Sequence, residues 1–462
     1  MLTGRLIPGS RLPSTRDIAT QHHVARGTAV SAIEQLTAEG YLRAEVGSGT
    51  FVAHNARRRD SSLNSPEGPQ PGPLRLSRRM VTVMEAGRGP DGDATRISCA
   101  FRANQPALDR FPWVLWNRIG AKVRSALGAR LLMDQQPMGY GPLREEIARY
   151  LGARRSVRVA PEQVMVFSGT QQAMGVVASV LADAGDRAMV EDPGYPSARQ
   201  ACQFAGLTVE PVPVDDQGFD VGSARRRAEG VRVVYLTPAH QAPLGTAMTL
   251  SRRIELLQWA TENDLWIFED DYDGEFRFSG RPLPTLQSLD TSGRVLYAGT
   301  FSKALFPSLR LSFVVLPSAL VEPFAVARWV GDRHTQILEQ AVLSRFMAEG
   351  HFARHVRRMR TLYSERHTAL LQIGREILRE YLEIQPASSG LQTLALFRNP
   401  LDDRILASEA LSSGVEVIPL SLFYSKVKPR RGFLMGFASV DSRDMTLAAQ
   451  TLRRVFRSAA KK

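Results

Sequence analysis

Apolar and polar positions follow three different rhythms along this chain, and the changes of rhythm divide it. Near the front, Ser14 precedes Thr-Arg16-Asp17-Ile-Ala, so a hydroxyl cap and an acid three residues on predict a short helix. After a turn around His22-His23-Val24, the residues Val30, Ile33 and Leu36 share one helical face, predicting a second helix from about Thr28 to Glu39 with Gly40 as its stop. Two short extended runs then flank Gly47-Ser48-Gly49 and predict a hairpin ending near Val52. From Ala53 to about Asp93 periodicity is lost. The charge run Arg57-Arg-Arg and the stretch Asn64-Ser-Pro-Glu-Gly-Pro-Gln-Pro-Gly-Pro73 offer nothing a core could bury, so 54–93 reads as a linker. From residue 94 to 462 short apolar strands (Val164–Phe167, Val231–Leu236, Leu265–Phe268) alternate with helical stretches such as Ser251–Glu262. That alternation predicts an α/β fold whose ligands lie at the strand ends.

Helix, turn, helix and hairpin over residues 1–53 form a winged helix-turn-helix pattern. It would set Arg26 and Thr28 at the floor of a DNA major groove, Arg16 on a phosphate and the Gly47 tip beside the backbone. Charge agrees with this. The chain's formal charge is +13, and its front end is denser in arginine than the rest, which suits a polyanion. Cys99 and Cys202 are the only cysteines, too few for a disulfide framework or a zinc site. No apolar run approaches a membrane span and no signal-peptide pattern begins the chain, so cytoplasm is the expected compartment and no membrane partner is expected.

Only six of the 59 basic residues are lysines, at positions 122, 303, 426, 428, 461 and 462. Lys303 is isolated among arginines, inside Gly299-Thr300-Phe-Ser302-Lys303-Ala-Leu-Phe-Pro-Ser-Leu-Arg310. An arginine stays protonated at neutral pH, whereas a lysine amine with a lowered pKa can attack an aldehyde. Flanking hydroxyls and Arg310 fit the phosphate of pyridoxal 5'-phosphate (PLP), with Lys303 holding its aldehyde carbon. Two further segments fit the same cofactor. Ser168-Gly169-Thr170-Gln171 turns from a strand into a helix N-terminus, where free N–H groups favour a phosphate. Glu269-Asp270-Asp271-Tyr272-Asp273 puts four acids at the end of a buried strand, costly unless one meets a cation such as a pyridinium nitrogen. A metal is the competing reading of that cluster, but no convincing His partner lies near it.

These motifs carry a family resemblance. Arg11-Leu-Pro-Ser-Thr-Arg-Asp-Ile-Ala and Glu34-Gln-Leu-Thr-Ala-Glu-Gly-Tyr-Leu42 resemble the GntR-type DNA-binding domain. That family usually has another helix before Gly4-Arg-Leu-Ile-Pro-Gly, so the first helix is expected to be truncated here. Residues 94–455 resemble a fold-type I PLP-dependent aminotransferase, through Gly139-Tyr-Gly-Pro-Leu-Arg144, Glu191-Asp-Pro-Gly-Tyr195-Pro, Thr237-Pro-Ala-His-Gln-Ala-Pro and the segments above. The whole chain is similar to the MocR subfamily of transcriptional regulators. The resemblance implies a mixed, mainly parallel sheet with flanking helices and a smaller C-terminal α+β subdomain. It also implies that Lys303 links to PLP, Asp270 pairs with the ring nitrogen, Tyr272 bonds the ring hydroxyl and Tyr195 stacks on the ring. Gly169, Thr170, Thr300, Ser302 and Arg310 would hold the phosphate. The implied partners are double-stranded operator DNA, a small effector (PLP or an amine) and a second copy of the chain, the heads crossing between subunits. One departure is informative. Aminotransferases and amino-acid-sensing relatives tend to carry an Arg for the substrate carboxylate where this chain has Leu434 and Met435, and Gln392 stands where a His is common. A regulator is therefore expected over a working aminotransferase with an appended head; Arg430 and Arg431 lie just upstream and could reach in, although a loop arginine is more often solvated.

Overall fold

The computed structural model describes residues 6–53, 75–85, 100–133, 135–155, 157, 159–280 and 284–460. It divides into two compact units between Leu76 and Ser77.

In the first unit, helix α1 (Thr15–Gln21) starts where expected: Ser14 accepts the Asp17 N–H at 3.2 Å and donates its hydroxyl to the Asp17 carboxylate at 2.7 Å. Helix α2 (Arg26–Ala38) begins two residues earlier than its apolar spacing indicates, because Ala25 enters extended with no side-chain cap. Strands β1 (Leu42–Glu45) and β2 (Gly49–Val52) pair antiparallel as the wing, and Leu42 and Val52 close over Leu12, Ile33 and Leu36. Gly47 turns the tip at φ +81°.

Most of the span read as linker lies outside the described residues. Within it, Arg78–Glu85 is a helix that packs on the helix Pro196–Ala205, with the Arg79 guanidinium 5.9 Å from the Phe204 ring centroid. Its single apolar turn is too short to register as periodicity.

The second unit is built on an eight-stranded sheet in the order β3-β10-β9-β8-β7-β4-β5-β6. Its members are β3 (Val164–Phe167), β4 (Arg187–Asp192), β5 (Thr208–Asp215), β6 (Gly218–Phe219), β7 (Val231–Leu236), β8 (Trp266–Asp271), β9 (Val295–Thr300) and β10 (Ser312–Val315). The central strands run parallel, while β10 and β6 run antiparallel to their neighbours. Helices cover both faces, so β7 is apolar except for Arg232 near its start: Val233 and Tyr235 enter one core, Val234 and Leu236 the other. A smaller C-terminal sheet, β11 (Leu382–Ile384), β12 (Gln392–Phe397), β14 (Gly432–Gly436) and β13 (Ile418–Pro419) in that order, completes the unit. No helix among the described residues is long and apolar enough to cross a membrane.

Candidate functional site

Four acids at the end of β8 meet four different fates, because successive side chains of a strand point to opposite faces. Glu269 accepts the backbone N–H groups of Leu286 and Gln287, each at 2.9 Å, and faces Arg253 at 3.8 Å. Asp271 binds Arg155 at 2.8 Å and accepts the Tyr297 hydroxyl at 2.6 Å. Asp273, just past the strand, pairs with His240 at 2.7 Å. Asp270 points to the opposite face from Glu269 and Asp271. Its Oδ2 accepts the Tyr235 hydroxyl at 2.8 Å, and its Oδ1 is buried with no hydrogen-bond partner. Of these four, Asp270 alone makes no ion pair among the described residues.

A buried carboxylate with a bare oxygen holds its proton tightly. Burial raises the Asp270 pKa, the Tyr235 hydrogen bond lowers it, and the charges of Asp271 and Asp273 raise it further, to about 7. The positive charge of Lys303 acts on the same group and favours its ionised form.

Lys303 lies three residues past the end of β9, and its Nζ donates to the Asn104 carbonyl at 3.2 Å. Asn104 sits at φ +64°, and its N–H is held by Gln392 Oε1 at 2.6 Å. Gln392 thus acts through a backbone strap that reaches Lys303, a role invisible in the sequence because 288 positions separate Gln392 from Asn104. Thr300 and Ser302 are half-buried on either side of Phe301, and Thr300 Oγ1 accepts the Ser302 N–H at 3.2 Å.

At the other end, Gly169 precedes the helix Thr170–Leu181 at φ +145°. A Cβ built on it would lie 2.6 Å from Arg310 Nη2, so only glycine lets the guanidinium lie against this helix start. Arg310 itself occupies the left-handed region at φ +50°. A guanidinium beside a helix N-terminus is a cradle for a phosphate. Tyr195 caps the helix Pro196–Ala205 and packs into the same core as Tyr235. The Tyr272 hydroxyl lies 3.2 Å from His240 Nδ1. The residues present therefore fit PLP: a lysine, a bare buried carboxylate oxygen and a phosphate cradle converge at the same ends of β8, β9 and β3. Asp270 would hold the ring nitrogen, and the Gly169–Arg310 cradle the phosphate.

Sequence reasoning missed three residues: Tyr235, whose signal was a lone hydroxyl in an aliphatic strand; His240, quoted only as part of a motif; and Asn104, which gave no signal.

The place expected for a carboxylate clamp is apolar. Leu434 and Met435 are both buried but point opposite ways on β14. Met435 joins the main core, whereas Leu434 packs with Ala103, Leu394, Leu420 and Phe423, on the side of Asn104. Arg431 does not restore the clamp. It binds Asp403 at 2.8 Å and faces Asp402 at 3.6 Å, while Arg430 is exposed.

In the first unit, Arg16 lies in the first turn of α1, Arg26 opens α2 and Thr28 follows it; these three and Gly47 at the wing tip are exposed.

Comparison with known proteins agrees with both units. Residues 1–52 match the model of the bacterial regulatory proteins of the gntR family, and residues 121–452 that of aminotransferase class I and II. The chain is 37% identical to the probable rhizopine catabolism regulatory protein MocR of Rhizobium meliloti, over 99% of this chain and 91% of that protein. It is 30% identical to the pyridoxine biosynthesis transcriptional regulator PdxR of Corynebacterium glutamicum, over 95% and 89%. Among solved structures it resembles LysN, an α-aminoadipate aminotransferase of Thermus thermophilus complexed with N-(5'-phosphopyridoxyl)-L-leucine, with 26% identity and a TM-score of 0.72 over 84% of this chain and 96% of that one.

Proposed function

The chain belongs to the MocR-type GntR regulators, DNA-binding transcriptional regulators with a PLP-dependent aminotransferase fold, and from that premise we propose that its large unit senses PLP, or an amine reaching PLP at Lys303, and that the winged helix carries the response to an operator. The bare Oδ1 of Asp270 within the field of Lys303 carries this reading. Bound PLP supplies an electrophilic aldehyde carbon and a ring able to accept electrons. Lys303 is the amine positioned for that carbon, its Nζ oriented by the hydrogen bond it donates to Asn104 O. Asp270 would hold the ring nitrogen and favour its protonated form. Tyr272 would donate to the ring hydroxyl, Tyr195 would stack on the ring, and Gly169, Thr170, Thr300, Ser302 and Arg310 would bind the phosphate.

The effector is an amine without an ordinary α-carboxylate, or PLP itself. Leu434 and its apolar neighbours provide no guanidinium to orient a carboxylate, and a bidentate arginine is what such orientation requires. For the same reason ordinary transamination is not the main activity. At the DNA, Arg26 and Thr28 face the major groove, Arg16 a phosphate and Gly47 the backbone. The chain acts as a homodimer, whose two-fold symmetry suits a palindromic operator, the heads crossing between subunits.

Titrating the purified protein with PLP and then with a panel of amines, while recording the visible spectrum and operator binding together, tests the reading. Operator affinity should change when PLP or one amine binds. Uptake of PLP with operator affinity constant across PLP and all amines would refute it.

A further inference from the structure

His240 and Asp273 lie beside the site without a part in the reading above. His240 comes four residues after β7 and Asp273 two after β8, and both side chains are buried. The imidazole Nδ1 is 2.7 Å from Asp273 Oδ2 and 3.2 Å from the Tyr272 hydroxyl, and the two rings stack 6.0 Å apart at 20°. Two glycines wall the imidazole in. A Cβ on Gly390 would lie 2.8 Å from its Cε1 and 2.6 Å from Asp273 Oδ2, and one on Gly245 would lie 3.2 Å from its Nε2. Both glycines have positive φ, +92° and +76°, so side chains there are doubly excluded.

This geometry decides where the protons sit. A lone pair on Nδ1 would face the carboxylate oxygen at 2.7 Å with no hydrogen between them, so Nδ1 carries the hydrogen and donates it to Asp273. The Tyr272 oxygen then meets an N–H, not a lone pair, and its own hydrogen must point elsewhere. Burial works against a charged imidazole. The charge and hydrogen bond of Asp273 outweigh it, Arg277 opposes and Asp271 assists, leaving the His240 pKa raised.

We infer that His240, locked by Asp273, Gly245 and Gly390, is a positioning residue that turns the Tyr272 hydroxyl outward as a hydrogen-bond donor to the ring oxygen of the cofactor. This rests on the reading of Tyr272 given above. A donor on that oxygen weakens its hold on the proton of the lysine linkage, so losing the donor should raise the pH at which the visible band changes.

Five full-length variants loaded with PLP test the inference by spectral pH titration, with borohydride trapping to confirm equal cofactor content. Tyr272→Phe and His240→Gln should each raise the midpoint by about one to two pH units, the scale of one hydrogen bond to a charged group. The double variant should go no further than Tyr272→Phe alone. His240→Asn, whose amide N–H can stand in for Nδ1–H, should stay near the parent. Asp273→Asn gives an independent check should His240→Gln not fold, with a smaller shift in the same direction. A midpoint moved by Tyr272→Phe but by neither His240→Gln nor Asp273→Asn overturns the inference, as does full additivity in the double variant. A midpoint unmoved by Tyr272→Phe removes the role of Tyr272 itself, and this inference with it.

Discussion

In the PLP-free protein, Asp270→Asn should gain stability relative to the parent as pH rises. Asp270 is 4% exposed, with one carboxylate oxygen buried and unpartnered. Its pKa is raised by burial from the ordinary 3.8 to about 7. Between those values the folded protein holds a proton that the unfolded chain has released, so stability falls as pH rises through that window and levels off above it. At about 1.4 kcal/mol per decade the deficit is about 1.5 kcal/mol at pH 5 and about 4 kcal/mol above pH 7. Asparagine does not titrate, and its carbonyl can still accept the Tyr235 hydroxyl. Its amide nitrogen stands unpartnered where Oδ1 does now, a cost that is equal at every pH and cancels in the comparison. Among the other buried acids shifted upward, Glu269, at about 7, is common to both proteins, while Glu191, at about 8 partly because of the Asp270 charge, is raised less in the variant, which adds to the same trend. Urea unfolding of the full PLP-free chain at pH 5 and pH 8 should show the variant's advantage growing by about 3 kcal/mol between the two. Parallel pH–stability curves for parent and variant would refute the reasoning, because Asp270 would then ionise at no cost and would have no need of a cationic partner. With PLP bound, the variant should also show an altered visible spectrum, since an amide cannot stabilise a pyridinium charge.

The remaining predictions bear on the other contacts. Lys303→Ala should abolish the visible band of the PLP-loaded protein and its borohydride-reducible link, and a retained link would place the attachment elsewhere. Arg26→Ala should cost operator binding about 1–3 kcal/mol if it reads a guanine, and Arg16→Ala should reduce the salt slope by about one unit. Operator binding that ignores both changes would remove the assignment of the head's DNA-facing residues. Single-turnover spectroscopy with alanine, aspartate and glutamate should show conversion slower by on the order of a hundredfold than an oriented substrate allows, because misplacement of about 1 Å costs that much. Rapid conversion would mean that a residue other than the engaged Arg431 orients the carboxylate. Sedimentation of the PLP-loaded protein should give a dimer, and a monomer that still binds operator would contradict the two-fold arrangement.

Much of this protein is written in local pattern. The Ser14 cap, the hairpin around Gly47 and the apolar runs Val164–Phe167 and Val231–Leu236 depend on neighbours a few residues away, so their types and near-boundaries were legible. The solitary Lys303 and the Gly169–Thr170 turn were legible as chemistry, since few residue types can attack an aldehyde or open a phosphate site. What the sequence left undecided was which member of each local group faces which environment. Four adjacent acids look alike until Arg253, Arg155 and His240, brought in from distant segments, engage three of them and leave Asp270 bare. Leu434 and Met435 are equivalent in the sequence until the pleat of β14 sends one towards Asn104 and the other into the main core. Arg431 looked available until Asp403, 28 positions away, engaged it. Charge pairing and burial are set by contacts across the fold and have no short sequence period to read, so only the folded chain decides them.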